Sequence, residues 1–174
     1  MREKTLWIVR TAVLTALLVV LQAVTAPAGQ LVTGSCVNAV LAVAVLAAGL
    51  ASGLTVALIS PFCAFLVGVG PQLIALIPAI AVGNGVLVVL LHLLVSKAEP
   101  FWKKIPGAVI AACAKALVLW LLVVKLLCNV LTLPEPQVAK FGAMFSWPQL
   151  VTALIGCAVA LLIVPVIRKA IRVS

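Results

Sequence analysis

The run at residues 73–95, LIALIPAIAVGNGVLVVLLHLLV, has 23 residues without an acid, a lysine or an arginine, and its reading decides the fold. A helix rises about 1.5 Å per residue, so such a run reaches about 35 Å, enough to cross the roughly 30 Å hydrocarbon core of a bilayer. Other apolar runs surround it. At about 20 apolar residues per span, helices are expected near 6–26, 31–50, 54–70, 73–95, 107–130 and 149–167. The breaks carry turn chemistry: Pro27 with Gly29, Ser52-Gly53, Gly70-Pro71, the charged segment 96–106, and Pro134-Glu135-Pro136 through Trp147-Pro148. The prediction is an all-α integral membrane bundle of six transmembrane helices, one domain over residues 1–174.

Composition agrees. Apolar residues make up 66% of the 174 and charged residues 9%, against roughly half and about a quarter in a soluble domain. Twelve basic and three acidic residues, most of them in short clusters, cannot cover a water-facing exterior. The first run follows Met1-Arg2-Glu3-Lys4 and ends near Ala26-Pro27-Ala28-Gly29, which together mimic a cleavable secretory signal. It exceeds a signal's apolar region in length, and its removal would break the charge pattern below, so it is read as a retained span. Cys36, Cys63, Cys113, Cys128 and Cys157 occur singly within apolar runs and lack the spacing of a zinc or redox site; they read as small packing residues.

Orientation follows from the basic residues, which stay on the cytoplasmic side. Arg2, Lys4 and Arg10 lie at the start of helix 1, Lys97, Lys103 and Lys104 between helices 4 and 5, and Arg168, Lys169 and Arg172 after helix 6. Six spans put all of these on one face, leaving only Lys140 in the opposite loops and Lys115 and Lys125 inside helix 5. Both termini are therefore expected in the cytoplasm, in a multi-pass protein of a bacterial cell membrane. The net charge of +9 borders the spans, so the partners it implies are anionic membrane lipids, not nucleic acid.

Glu3, Glu99 and Glu135 all fall outside the expected spans, so the membrane interior has no carboxylate. Proton-driven carriers use intramembrane acids or histidines, and His92 near the cytoplasmic end of helix 4 reads as interfacial structure. One histidine without a carboxylate does not assemble a hydrolase or a metal site, so no enzyme activity, cofactor or catalytic residue is expected. No GxxxxGK[ST] loop occurs; active transport would need another subunit to supply energy.

The costliest side chains are Lys115 and Lys125, at roughly 2.5 to 3.5 kcal/mol each if placed at mid-membrane. From Pro106 they lie about 14 Å and about 29 Å along helix 5. Helical side chains lean toward the N-terminus, so Lys115 is expected to snorkel toward the cytoplasm. The same lean turns Lys125 inward, toward an internal acceptor or an anionic ligand, which weights it above Lys115; the alternative is that it caps the last carbonyls of helix 5. Asn129, a turn on, is expected to share its face. Asn84, between Gly83 and Gly85, must find a partner in the bilayer, either across a close helix contact or on a ligand. Pro61 and Pro78 are expected to kink helices 3 and 4. At the outer ends, Asn38, Gln72 and Trp147 complete the candidate substrate-binding set with Lys125, Asn129 and Asn84. The outer loop at 132–147, with Phe141, Phe145 and Trp147, reads either as a lid or as an aromatic belt. Ala12 and Ala16, one turn apart, allow close helix approach.

Six spans in a chain this short, a basic N-terminus leading into Ala12-xxx-Ala16, a near-absent second loop, a longer fifth loop, and the stretch with Thr33-Gly34-Ser35, Gly70-Pro71-Gln72 and Gly83-Asn84-Gly85 together resemble the substrate-binding S component of an energy-coupling factor (ECF) vitamin transporter. The resemblance covers the whole chain. It implies a subunit that captures a vitamin or related micronutrient at the extracellular side and delivers it inward by toppling in the membrane. It further implies that Ala12 and Ala16 dock on a transmembrane T component joined to two cytoplasmic ATPases. Ligand identity does not follow; Lys125 and Lys140 slightly favour a carboxylate-bearing ligand such as pantothenate or a folate, and stacking of a neutral ligand on Trp147 is the alternative. Two readings compete: a non-transporting membrane scaffold or assembly protein, and a self-sufficient small channel or carrier.

Overall fold

The computed structural model describes residues 2–173; the side chains of Arg2 and Arg172, counted above in the basic face, lie outside the described residues. Every regular element is helical among the described residues. The bundle consists of α1 (Arg2–Thr25), α2 (Gln30–Ala48), α3 (Leu50–Leu66), α4 (Leu76–Leu94), α5 (Lys104–Leu119) and, after a short α6 (Glu135–Met144), α7 (Trp147–Val173). Helix α5 runs on through π-helical turns at Trp120–Leu127 and a last α-turn at Cys128–Val130. Five stretches are each long and apolar enough to cross a membrane, and α3, at 17 residues, is the shorter apolar helix beside them. Apolar side chains such as Val13, Leu66, Leu93 and Leu162 project outward, as a bilayer solvent permits.

Helix α2 is the centre, packing on α1, α3, α4 and α7, with α2–α7 the most extensive pair. Glycines let the backbones approach: a Cβ at Gly156 would stand 2.5 Å from Asn38 Cβ, and one at Gly34 2.9 Å from Thr152 Cγ2. One apolar core, with Leu41, Val45, Val56, Leu87 and Leu91, fills the half of the bundle toward the basic end. A second, with Leu76, Leu119, Val123, Phe141 and Phe145, lies at the opposite end under α6. At the basic end Arg168 Nη2 donates to the Leu46 carbonyl at 2.6 Å, and Lys104 pairs with Glu99 at 2.8 Å.

Three expectations are corrected. The break between α2 and α3 is Gly49, not Ser52-Gly53, because the reversal needs φ 94°, which glycine adopts without a Cβ clash. Ser52 and Gly53 serve packing inside α3: the Ser52 hydroxyl accepts from Thr11 Oγ1 at 2.9 Å, and a Cβ at Gly53 would meet Val45 Cβ at 2.8 Å. Helix α3 stops at Leu66, and α4 starts at Leu76 rather than at 73. Pro78 therefore sits in a first turn, where its missing N–H costs nothing and no kink follows; of these two prolines, Pro61 is the one inside its helix. The segment expected as a loop at 132–147 contains α6; Phe141 within it and Phe145 just beyond it are 5% and 3% exposed.

Candidate functional site

Asn38 and Asn84 sit near the middle of α2 and α4, and Lys115 rises from the middle of the long fifth helix to meet both. Lys115 Nζ donates to Asn38 Oδ1 at 2.5 Å and to Asn84 Oδ1 at 2.7 Å. All three are at most 2% exposed. Asn38 Nδ2 in turn donates to Thr152 Oγ1 at 3.2 Å, and the Thr152 hydroxyl donates to the Gln149 carbonyl at 3.2 Å. That chain fixes which end of the Asn38 amide faces the lysine, since the nitrogen is used on α7. Glycine again sets the distance: a Cβ at Gly83 would overlap Leu119 at 2.6 Å, so α4 and α5 close at the level where Asn84 meets Lys115.

This cluster floors a cavity of about 300 Å³ that extends toward the end of the bundle opposite the basic residues. That volume is at the small end of the roughly 300–1,000 Å³ range of small-molecule sites. Its walls are largely apolar, with Val37, Pro61, Phe65 and Ile80, and polar groups come from α1 (Gln22), α3 (Ser60) and α7 (Gln149). Helix α6 covers it, contributing Lys140 and Met144, with Phe145 just beyond its last turn. Two amides pin that cover: Gln30 Nε2 and Gln149 Nε2 donate to the Met144 carbonyl at 2.5 and 3.1 Å. The segment thus divides between the alternatives read from its sequence, since Phe141 and Phe145 pack inward as a lid while Trp147, 64% exposed, faces outward like a belt residue.

Of the six residues singled out for substrate, Asn38 and Asn84 come together at the cavity, whereas Gln72, Lys125, Asn129 and Trp147 do not line it. Gln72 is exposed and bonds within its own loop, to the Gly70 carbonyl at 3.4 Å. Lys125 is exposed, its ammonium 4.9 Å from the centre of the Trp120 ring. A π-helix is wider than an α-helix and bonds i to i+5, so the turns at Trp120–Leu127 bring position 125 nearer to 120 than an α-helix would. Asn129 Nδ2 donates to the Lys125 carbonyl at 2.5 Å, a local contact at the helix end. The ranking of Lys125 above Lys115 is thereby reversed in placement: it is Lys115 that reaches the cavity. The two carboxamide acceptors that α2 and α4 supply hold Lys115 at mid-bundle against the lean toward the cytoplasm.

Gln22, Ser60, Thr152 and Gln149 were not singled out, although a signal existed in the sequence: each is a polar residue within an otherwise apolar span. His92, with its Nδ1 buried and unpartnered, is not part of the cavity. Among the described residues no group of three or more His, Cys, Asp or Glu side chains could hold a metal ion. Ala12 and Ala16 are exposed on the outer face of α1, in a stripe with Ile8 and Val20, while Thr11 on the inner face bonds to Ser52.

Comparison with known proteins assigns this architecture. The family described as "ECF transporter, substrate-specific component" matches residues 7–168. No curated protein and no solved structure matches the chain. With the match running through all the bundle helices and the cavity, the chain belongs to the substrate-specific components of ECF transporters.

Proposed function

We propose that the cavity under α6 captures a vitamin or related micronutrient from outside a bacterial cell. The chain then delivers it inward while docked, through α1, on a T component joined to two cytoplasmic ATPases. The observation that carries the reading is the closed polar floor at mid-bundle beneath an apolar-walled cavity. Small-molecule sites combine apolar walls with a few convergent polar groups in this way. The positive-inside rule puts the basic end in the cytoplasm, so the cavity lies toward the exterior. The exposed stripe with Ala12 and Ala16 supports docking, since these small residues are not used inside the bundle.

Purification in detergent, extraction of copurifying small molecules and a vitamin screen by thermal melting test the capture step. A ligand at a hundredfold excess over its Kd is expected to add about 2.7 kcal/mol of stability. A folded protein that copurifies with no small molecule, is shifted by no vitamin and associates with no ATPase-bearing partner would sink the reading.

A further inference from the structure

The charge balance of the cavity names the class of its ligand, an inference that rests on the capture reading above. Lys115 is 2% exposed, and its acceptors, the carboxamide oxygens of Asn38 and Asn84, carry no net charge. A buried charge needs a counter-charge as well as hydrogen bonds. The chain has none to offer: Glu3 and Glu135 lie in the first turns of α1 and α6, and Glu99 pairs with Lys104 at the basic end. Among the described residues lining the cavity, the ionisable side chains are Lys115 at the floor and Lys140 on the lid.

A second, independent observation lies in the same walls. Gln22 Oε1 and Ser60 Oγ are buried without a hydrogen-bond partner, on side chains 8% and 1% exposed overall. Both residues line the cavity. Native proteins rarely leave such atoms unpaired, and here the partner has to come from what the cavity holds.

The geometry points to a small amphipathic monocarboxylate that also carries an N–H or O–H donor. Its carboxylate accepts the third ammonium hydrogen of Lys115, its apolar body lies against Phe65 and Ile80, and its donor serves Gln22 Oε1. One buried lysine balances one negative charge, which favours a carboxylate over a phosphate ester of about −1.5 to −2. Lys140 is exposed and adds attraction at the entrance.

The test uses matched pairs on the whole chain in detergent: biotin with biotin amide, and pantothenate with pantothenol, plus thiamine as a cation and riboflavin as a neutral probe. Melting curves are recorded for the native chain, Lys115→Met and Lys115→Arg. The expected result is stabilisation by at least one acid, absent with its neutral counterpart, weakened about thirtyfold or more in Lys115→Met and partly kept in Lys115→Arg. Neutral or cationic probes binding as well as the acids, the result a neutral amine at position 115 would give, overturn the anion assignment but leave capture standing. Acid binding unchanged in Lys115→Met does the same. Silence of the whole panel on a native chain that melts cooperatively counts against capture itself, and the anion assignment falls with it. The matched pairs read the charge on the native chain, so the answer survives a variant that fails to fold.

Discussion

Gly83 and Gly85 flank the same asparagine but face different surroundings, and this separates packing from propensity. A Cβ at Gly83 would press on Leu119 Cγ and Cδ2 at 2.6 Å, whereas one at Gly85 would meet nothing within 4 Å. Gly83→Ala is therefore expected to cost about 1–3 kcal/mol by overpacking and to push α5 from α4, lengthening the bond from Lys115 to Asn84. Gly85→Ala should instead gain about 0.5–1 kcal/mol, because glycine weakens a helix interior by that amount. Tryptophan-monitored melts of the two variants check the opposite signs; equal effects would mean that the glycines act through the helix alone. The pattern Gly-Asn-Gly was readable as a close contact from the sequence, but which glycine faces a neighbour was not. That depends on the phase of α4 against α5.

Among the elements, α1 and the fifth helix depart most from a uniform apolar cylinder. Helix α1 uses Thr11 and Leu18 toward the bundle and leaves Ala12 and Ala16 outside. Close approach of a partner helix needs small side chains, so replacing both alanines by leucine is expected to abolish copurification with the T component. The melting shift produced by a bound ligand should stay unchanged, since neither residue lines the cavity. Loss of both properties would assign the stripe to internal packing. The fifth helix widens into π turns at Trp120–Leu127, and that widening decides the fate of Lys125. A regular α-helix would leave 125 well round the axis from 120; the π geometry brings the Lys125 ammonium over the Trp120 ring while Asn129 stays bonded to the Lys125 carbonyl. Nothing in residue order announces the change of pitch, so the contact of Lys125 with Trp120 is not legible from one regular helix.

At the scale of the whole molecule, the parts on view suit the substrate-specific component that the family match assigns. It has a lidded cavity closed at mid-bundle and no phosphate loop, and its acids Glu3 and Glu135 lie in first helical turns while Glu99 pairs with Lys104 at the basic end. Liposomes containing this chain alone are accordingly expected to show no ATP-independent concentrative uptake of a vitamin that stabilises it. Accumulation above the external concentration would contradict the division of labour proposed here. The sequence by itself determined the apolar helices, the concentration of basic residues at one end and the general positions of most breaks, because hydropathy, charge and turn chemistry are properties of local composition. It missed Gly49 as the α2–α3 reversal, since several small residues compete there and only the backbone angle selects one. Only the tertiary structure decided that Lys115 meets Asn38 across 77 residues of chain and Asn84 across 31. Such meetings depend on helix phase, and on glycines that let α2 approach α7 and α4 approach α5, a relation between surfaces that no single helix contains.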